Sequence, residues 1–261
     1  MSTYKLRELM STLSMTFGEL THYQIINTSW SLGTRKNPLL FSTENGKFVY
    51  HHTARTANIK KYKIKLDEKN KVSVISSPIL SILKQGFVTI FVEGEALNTL
   101  PAIDISSVAQ LQATFHKVDN YDLEYWTKKL DRVQTYLLQN QLIGRNESIS
   151  HHFSRYGLIH GDYSPDNLIK TPQGLVTIDL EHVLEGPIAF DLTRPLLRVC
   201  HNETEQAIYL DHYFKEQPHL SQEELVLGRS AFFLIQACNR HRWGYPKEAQ
   251  ASLEKFRQIF K

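Results

Sequence analysis

The chain has 261 residues, of which 41% are hydrophobic and 22% charged, and its formal net charge is +3. This length suits one large domain or two lobes, and it can bury a substantial core without a metal or a disulfide. The nearly balanced charge argues against a nucleic-acid partner. The two cysteines, Cys200 and Cys238, lack a CxxC spacing, which excludes a disulfide-rich secreted scaffold. We therefore expect a cytoplasmic protein.

Two segments have the outline of a membrane signal. Residues 4–20 place basic residues ahead of an apolar stretch, but Glu8 interrupts it and no small-residue cleavage site follows. Residues 73–92 are cut by Pro78 and Gly86 into pieces of strand length. Neither segment predicts a membrane association.

The first third of the chain reads as one helix, at about residues 4–13, followed by short strands. The strand candidates are "YQIINTSW", "PLLFST", "GKFVYHH", "KYKIKL", "KVSVIS" and "FVTIFV". Residues 61–76, "KYKIKLDEKNKVSVIS", alternate on both sides of a charged turn. This alternation predicts a β-hairpin.

Beyond Val92 the pattern becomes helical. "ISSVAQLQATFHKV" has apolar residues at helical spacing with Ser106 or Ser107 as a candidate cap, and helical patterns continue to the C-terminus. We therefore predict an α+β fold with a strand-rich lobe at 1–92 and a mainly helical lobe at 93–261. A ligand held by groups from both lobes would bind in the cleft between them.

The segment "NLIKTPQGLVTID" predicts a hairpin whose register can be counted. Pro and Gly fit a tight turn at "TPQG", and pairing Lys170 with Leu175 sets Asn167 opposite Ile178. Asp179 follows directly, so the amide of Asn167 and the carboxylate of Asp179 are expected at the open end of the hairpin. Two such oxygen donors suit Mg²⁺, which completes its shell with phosphate and water.

Asp162 lies five residues before Asn167, across a loop that contains Pro165. A carboxylate near a metal–phosphate assembly can take the proton of an attacking hydroxyl, which is the chemistry of phosphoryl transfer. The alternative is that Asn167 caps a turn and that Asp162 and Asp179 are ordinary loop acids. The spacing and order of the three residues favour the phosphoryl-transfer site.

The stretches "HGDYSPDN", at 160–167, and "TIDLE", at 177–181, resemble motifs of the kinase-like small-molecule phosphotransferases of the aminoglycoside phosphotransferase, choline kinase and thiamine kinase type. The resemblance implies a protein-kinase-like bilobal fold that uses ATP and Mg²⁺. It makes Asp162 the catalytic base, Asn167 and Asp179 the metal ligands, and His160 a structural histidine of the loop. "EGPIAFDL" would supply Asp191 to brace the catalytic loop.

Other positions follow from the same resemblance. "FVTIFVEGEAL" is similar to the hinge of such kinases, which implicates Val92 and Glu93 in nucleotide binding. The D-x-E pattern at Asp179 and Glu181 is more similar to that of choline, ethanolamine and thiamine kinases than to that of many antibiotic-resistance members of the family. Glu181 either assists the metal or bonds to nearby backbone.

The N-terminal part departs from this pattern. The strand that usually carries a phosphate-binding Lys or Arg has His51 there, with Lys47 and Arg55 as substitutes nearby. The loop that would cover the nucleotide, "SWSLGTRKNP", has only Gly33 as its glycine. No acid lies between Thr53 and Leu66 to position a basic residue.

These patterns predict an ATP- and Mg²⁺-dependent kinase for a small-molecule hydroxyl acceptor. The acceptor class is first an amino alcohol of the choline, ethanolamine or thiamine type, then an aminoglycoside or sugar. An inactive kinase-like module that binds a nucleotide or a partner is the alternative of another class, and the sequence leaves the oligomeric state open. Acceptor-pocket candidates, each with a core role as its alternative, are Tyr125, Trp126, Arg240, Arg242, Trp243 and Tyr245.

Overall fold

A computed structural model describes residues 3–26, 38–72, 76–99, 103–116, 123–149 and 153–259. Its helices are α1 (Thr3–Phe17), α2 (Thr56–Val72), α3 (Ile105–His116), α4 (Leu123–Gln139), α5 (Ile188–Arg198), α6 (Glu203–Glu216), α7 (Gln222–Arg242) and α8 (Pro246–Gln258). Its strands are β1 (His22–Ile25), β2 (Leu39–Thr43), β3 (Gly46–His52), β4 (Ile79–Leu83), β5 (Gly86–Ile90), β6 (Glu95–Ala96), β7 (Tyr156–Ile159), β8 (Leu168–Thr171), β9 (Gly174–Thr177) and β10 (Leu184–Pro187). None of the helices in these ranges is both long enough and apolar enough to cross a bilayer.

The residues pack as two compact units. One consists of Met1–Thr99 with Asn167–Val183, and the other of Leu100–Asp166 with Leu184–Lys261. The predicted α+β class is confirmed, since an antiparallel sheet is followed by a mainly helical part. The lobe boundaries predicted from the sequence, 1–92 and 93–261, stay a prediction.

The first unit is built on a five-stranded antiparallel sheet with the order β1-β2-β3-β5-β4. Side chains alternate along β2, where Leu39 and Phe41 are buried, as expected for a strand with one face on a core. Helix α1 covers this face: Leu13 is fully buried, and the ring centroid of Phe17 lies 5.7 Å from that of Phe41 and 5.2 Å from that of Phe48. The predicted N-terminal helix is confirmed and extends to Phe17.

The hairpin predicted at 61–76 is wrong, because helix α2 covers Thr56–Val72. The buried residues Ile59, Tyr62 and Leu66 recur at helical spacing, whereas Ile64, which completes the alternating pattern, is 68% exposed. The buried residues thus follow the period of a helix, although Lys alternates with apolar residues along this segment as it would in a strand. Packing against the rest of the unit outweighs that local pattern.

The second unit consists of the six remaining helices and the antiparallel pair β7–β10. Asp104 begins α3, because its Oδ1 accepts a hydrogen bond from the Ser107 N–H at 3.2 Å; the predicted cap at Ser106 or Ser107 is therefore wrong. Helix α7 packs closely on α5, since a Cβ at Gly228 would come within 2.4 Å of the backbone of Ala189. A side chain at Gly228 would push the two helices apart.

Candidate active site

The hairpin β8–β9 has the predicted register. Lys170 pairs with Leu175, and beyond the paired strands the Ile178 N–H donates to the Asn167 carbonyl at 2.9 Å. Ile178 is therefore the residue opposite Asn167, and Asp179 lies one position further along, at the same open end of the hairpin. The register predicted from the sequence is confirmed, while the convergence of the two side chains on a metal ion stays a prediction.

Asp179 has a left-handed backbone conformation, with φ 57° and ψ 59°. A residue other than glycine pays a cost of order 1–3 kcal/mol for such a conformation, and the conformation is concentrated at functional sites. The following residues, Leu180–His182, form a short 3₁₀ turn. The backbone therefore changes direction sharply at the carboxylate that would hold the ion.

His51, near the end of β3, is buried beside Asp179. Its ring stacks on Phe87 of β5 with centroids 4.7 Å apart, and its Nε2 lies 3.2 Å from Oγ1 of Thr89. Its Nδ1 lies 3.8 Å from Oδ1 of Asp179. Burial lowers the pKa of His51 to about 4, although the negative charge of Glu181 acts in the opposite direction. The imidazole is thus neutral at pH 7 and differs in charge from a phosphate-binding Lys.

Arg55, which precedes α2, contacts the other end of this segment. Its guanidinium NH1 lies 2.5 Å from Nδ1 of His182, and Nε2 of His182 lies 3.0 Å from Oε1 of Glu181. Because a guanidinium can only donate, Nδ1 accepts and the ring proton sits on Nε2, facing Glu181. Arg55, His182 and Glu181 thus form a chain that anchors the turn after Asp179 to the start of α2.

The other N-terminal candidates differ in their exposure and contacts. Lys47 bonds to Glu93 at 2.8 Å, and both side chains are exposed, so the substitute cation and the proposed nucleotide-binding acid engage each other. Val92 is half-buried beside Glu93, in the segment between β5 and β6. Gly33 and its loop lie outside the residues that the structure describes. Nucleotide binding by His51, Gly33, Val92 and Glu93 stays a prediction.

In the second unit, Asp191 in the first turn of α5 holds the backbone that precedes Asp162. Its Oδ1 accepts from the Gly161 N–H at 2.8 Å, and its Oδ2 accepts from the backbone N–H of His160 at 3.3 Å. The Nε2 of His116 lies 2.9 Å from the same Oδ2. Burial raises the pKa of the Asp191 carboxyl, but the bonds from His116 and Gly161 outweigh it and leave that pKa below its ordinary value. The carboxylate is a hub of a buried polar network.

His160 is fully buried. Its ring lies between those of Phe115, with a centroid distance of 5.7 Å, and Tyr163, at 5.9 Å. The hydroxyl of Tyr163 donates to the Val108 carbonyl at 3.0 Å. Residues on both sides of Asp162 are therefore fixed to α3, which suits a rigid catalytic loop.

Asp162 itself contacts Arg194, which is not among the site residues predicted from the sequence. NH1 of Arg194 lies 2.5 Å from Oδ1 of Asp162, and both side chains are largely buried. Arg194 belongs to α5 and follows Asp191 by three residues, so both lie on one face of the helix. That spacing was the signal available in the sequence.

The proposed acceptor residues fall into different environments. Trp126 is fully buried and packs edge-on against Phe190 at 4.8 Å, so it belongs to the core. Trp243 and Tyr125 are 51% and 43% exposed. Tyr245 precedes α8 as its N-cap residue.

The two arginines near the end of α7 contact neighbouring helices. Arg240 donates to Oγ of Ser252 at 2.8 Å, and the guanidinium of Arg242 lies 4.4 Å from the ring centroid of Tyr136. Both therefore make contacts that stabilise the helical unit. An acceptor role for any of the six residues stays a prediction.

Known proteins share this fold. The chain aligns with the choline kinase LicA from Streptococcus pneumoniae over 99% of its own length and 98% of LicA, with 16% identity and a TM-score of 0.64. A macrolide 2′-phosphotransferase of type I gives 14% identity and a TM-score of 0.65, covering 97% of this chain and 98% of that one. An ethanolamine kinase from Plasmodium vivax gives 14% identity and a TM-score of 0.61, and the alignment covers 92% of this chain and 82% of that one. No curated protein matches the sequence.

The fold and the motif-bearing segments define a kinase-like phosphotransferase. Residues 94–223, which include Asp162, Asn167, Asp179 and Asp191, match the model of APH, the phosphotransferase enzyme family. The chain belongs to the APH family of phosphotransferase enzymes, and the family recognised from the sequence motifs is confirmed.

Proposed function

We propose that this protein transfers the γ-phosphate of ATP, with Mg²⁺, to a hydroxyl group of a small amino alcohol. The observation that carries the proposal is the hairpin register, which brings Asn167 and Asp179 to one end of β8–β9 inside the segment that matches the family. A carboxylate and an amide oxygen at that spacing fit an ion that takes few protein ligands and fills its shell with phosphate.

Each residue has a separate task in this proposal. Asn167 and Asp179 would hold Mg²⁺, which when bound neutralises charge on the phosphate oxygens. Asp162 would accept the proton of the acceptor hydroxyl while the bond between that oxygen and phosphorus forms and the bond to ADP breaks. Asp191 and His160 keep the loop of Asp162 rigid through the contacts described above.

The amino alcohol is proposed from two sources. The D-x-E pattern of Asp179 and Glu181 is shared with choline, ethanolamine and thiamine kinases, and solved structures of a choline kinase and an ethanolamine kinase share the fold. The macrolide phosphotransferase shares it equally well, so an antibiotic hydroxyl is the competing acceptor.

The test is a coupled ADP-release assay over a panel of amino alcohols, aminoglycosides, macrolides and sugars, with and without Mg²⁺. We expect ADP release with an amino alcohol only when Mg²⁺ is present. Release with an antibiotic alone would reassign the acceptor. No release with any compound would overturn the proposal, whether or not ATP gives a Mg²⁺-dependent thermal shift.

The second candidate function is a nucleotide-binding module without transfer activity. It is favoured by His51, a buried and neutral side chain at the place where the family resemblance puts a cation. This candidate predicts an ATP-induced thermal shift without ADP release from any acceptor.

A further inference from the structure

Helix α5 contacts the catalytic loop at two successive points. Asp191 accepts from the Gly161 N–H at 2.8 Å and thereby holds the backbone of the loop. Three residues further along the same helix face, NH1 of Arg194 lies 2.5 Å from Oδ1 of Asp162 and thereby holds its side chain. One helix turn therefore contacts both the backbone of the loop and the side chain of the proposed base.

The turn that carries these two residues is itself fixed. Pro195 has no N–H, so the carbonyl of Asp191 lacks its donor within the helix; instead Nε2 of Gln112 donates to it at 3.1 Å. The Arg194 guanidinium lies 5.5 Å from the ring centroid of Phe232 on α7. Contacts from α3 and α7 thus limit the freedom of Arg194 before any substrate binds.

We propose that Arg194 is a positioning residue for phosphoryl transfer, which fixes the rotation of the Asp162 carboxylate toward the acceptor hydroxyl. This inference rests on the proposed function. Arg194 acts through Asp162 and takes no proton itself. The two side chains form a close ion pair, and a planar guanidinium that is itself packed restricts its partner more than a flexible lysine ammonium does. Misplacing a catalytic group by about 1 Å costs on the order of a hundredfold in rate.

The kinetic test compares Arg194→Ala with Arg198→Ala. Arg198 lies one turn further on α5, is half-exposed and contacts Asp166 at 3.6 Å, so its removal controls for loss of a nearby positive charge. We expect Arg194→Ala to lower kcat by about tenfold to a hundredfold while KM for ATP stays within about twofold. Arg198→Ala should leave both constants within about twofold of the wild-type values.

Two additional measurements separate positioning from a structural role. Arg194→Lys should recover only part of kcat, and added guanidinium ion should raise kcat of Arg194→Ala but not that of Arg198→Ala. An unchanged kcat in Arg194→Ala, or a loss confined to KM, would overturn the proposal.

A third measurement needs no activity. Thermal unfolding of Asp162→Asn, Arg194→Ala and the double variant should show that the two changes in Tm do not add, because each variant breaks the same contact. If the enzyme is active but the two Tm changes add, only the proposed pairing of Arg194 with Asp162 is overturned. If the protein phosphorylates no acceptor, the proposed function and the positioning role of Arg194 are both overturned, even where the Tm changes are coupled.

Discussion

Nδ1 of His51 lies 3.8 Å from Oδ1 of Asp179, so a buried neutral ring contacts a partly exposed acid. The motif resemblance leads us to expect a phosphate-binding Lys or Arg at this strand position. Stacking on Phe87 and the contact with Thr89 hold the imidazole in place through β5. The contact is dipolar and therefore weaker than an ion pair at the same distance.

Two substitutions test whether His51 acts as a neutral group. His51→Gln keeps a polar side chain without charge, so we expect KM for ATP to change by less than about threefold. His51→Glu adds a negative charge beside Asp179 and Glu181, and repulsion of about 1.4 kcal/mol would raise KM at least tenfold. Steady-state kinetics with varied ATP measures both. An equal loss in the two variants would show that the imidazole contributes more than a neutral dipole.

Asp162→Asn tests the base assignment. The amide keeps the size of the side chain but cannot accept the hydroxyl proton, so we expect kcat to fall by about 10²–10⁴-fold. The ATP-induced thermal shift should be nearly unchanged. Asp166→Asn, in the same loop, provides the matched control and should retain activity. Unchanged turnover in Asp162→Asn would refute the assignment.

Asp179→Ala removes the only carboxylate of the proposed pair of metal ligands. We expect the Mg²⁺-dependent part of the ATP thermal shift to disappear, since a single amide oxygen binds Mg²⁺ poorly. Titrating Mg²⁺ at fixed ATP measures the effect. A normal Mg²⁺ response in this variant would exclude the hairpin as the metal site.

Glu181→Gln separates the two roles left open for Glu181. The glutamine amide still accepts a hydrogen bond from His182, whose Nε2 lies 3.0 Å from the acid in the wild-type chain. If Glu181 only anchors the turn, the Mg²⁺ concentration for half-maximal activity stays within about twofold. A shift of about tenfold or more would show that its charge assists the metal.

The sequence predicted local geometry better than it predicted long-range contacts. The β8–β9 register followed from the turn "TPQG", because turn chemistry fixes which residues pair. Helix α2 was not predicted, because the alternation of Lys with apolar residues suggested a strand. The burial of Ile59, which marks the helix, depends on the sheet against which the helix packs. The contacts of Asp162 with Arg194 and of His51 with Asp179 join distant parts of the chain. The three-residue spacing places Arg194 on the helix face of Asp191 but does not specify that Arg194 contacts Asp162.

Helix α2 can be tested by two matched truncations. Leu66 is 1% exposed and Ile64 is 68% exposed; two residues apart, they would share a face in a strand but lie on different faces in a helix. We expect Leu66→Ala to lower the free energy of unfolding by about 2–5 kcal/mol and Ile64→Ala to change it by less than about 0.5 kcal/mol. Urea unfolding followed by circular dichroism measures both. Equal losses would contradict the helical assignment.

Asp191 should make stability depend on pH with a defined sign. Its pKa is below the ordinary 3.8 in the folded chain, so its contribution to stability is present above that pH and is lost as the pH falls through the folded value. Asp191→Asn should therefore destabilise the protein at pH 7 by at least about 2 kcal/mol, because bonds from His116 and Gly161 lose a charged acceptor. The difference between wild type and variant should shrink as the pH falls below 3.8.

Urea unfolding at a series of pH values measures this difference directly. Asp211→Asn is the matched control, since Asp211 is exposed and pairs with Lys215 at 2.8 Å on the surface of α6. Salt and water screen that pair, so its removal should leave stability nearly unchanged at every pH. A difference for Asp191→Asn that grows as the pH falls would mean that the folded chain holds Asp191 protonated. The carboxylate would then not be the acceptor that fixes the loop of Asp162.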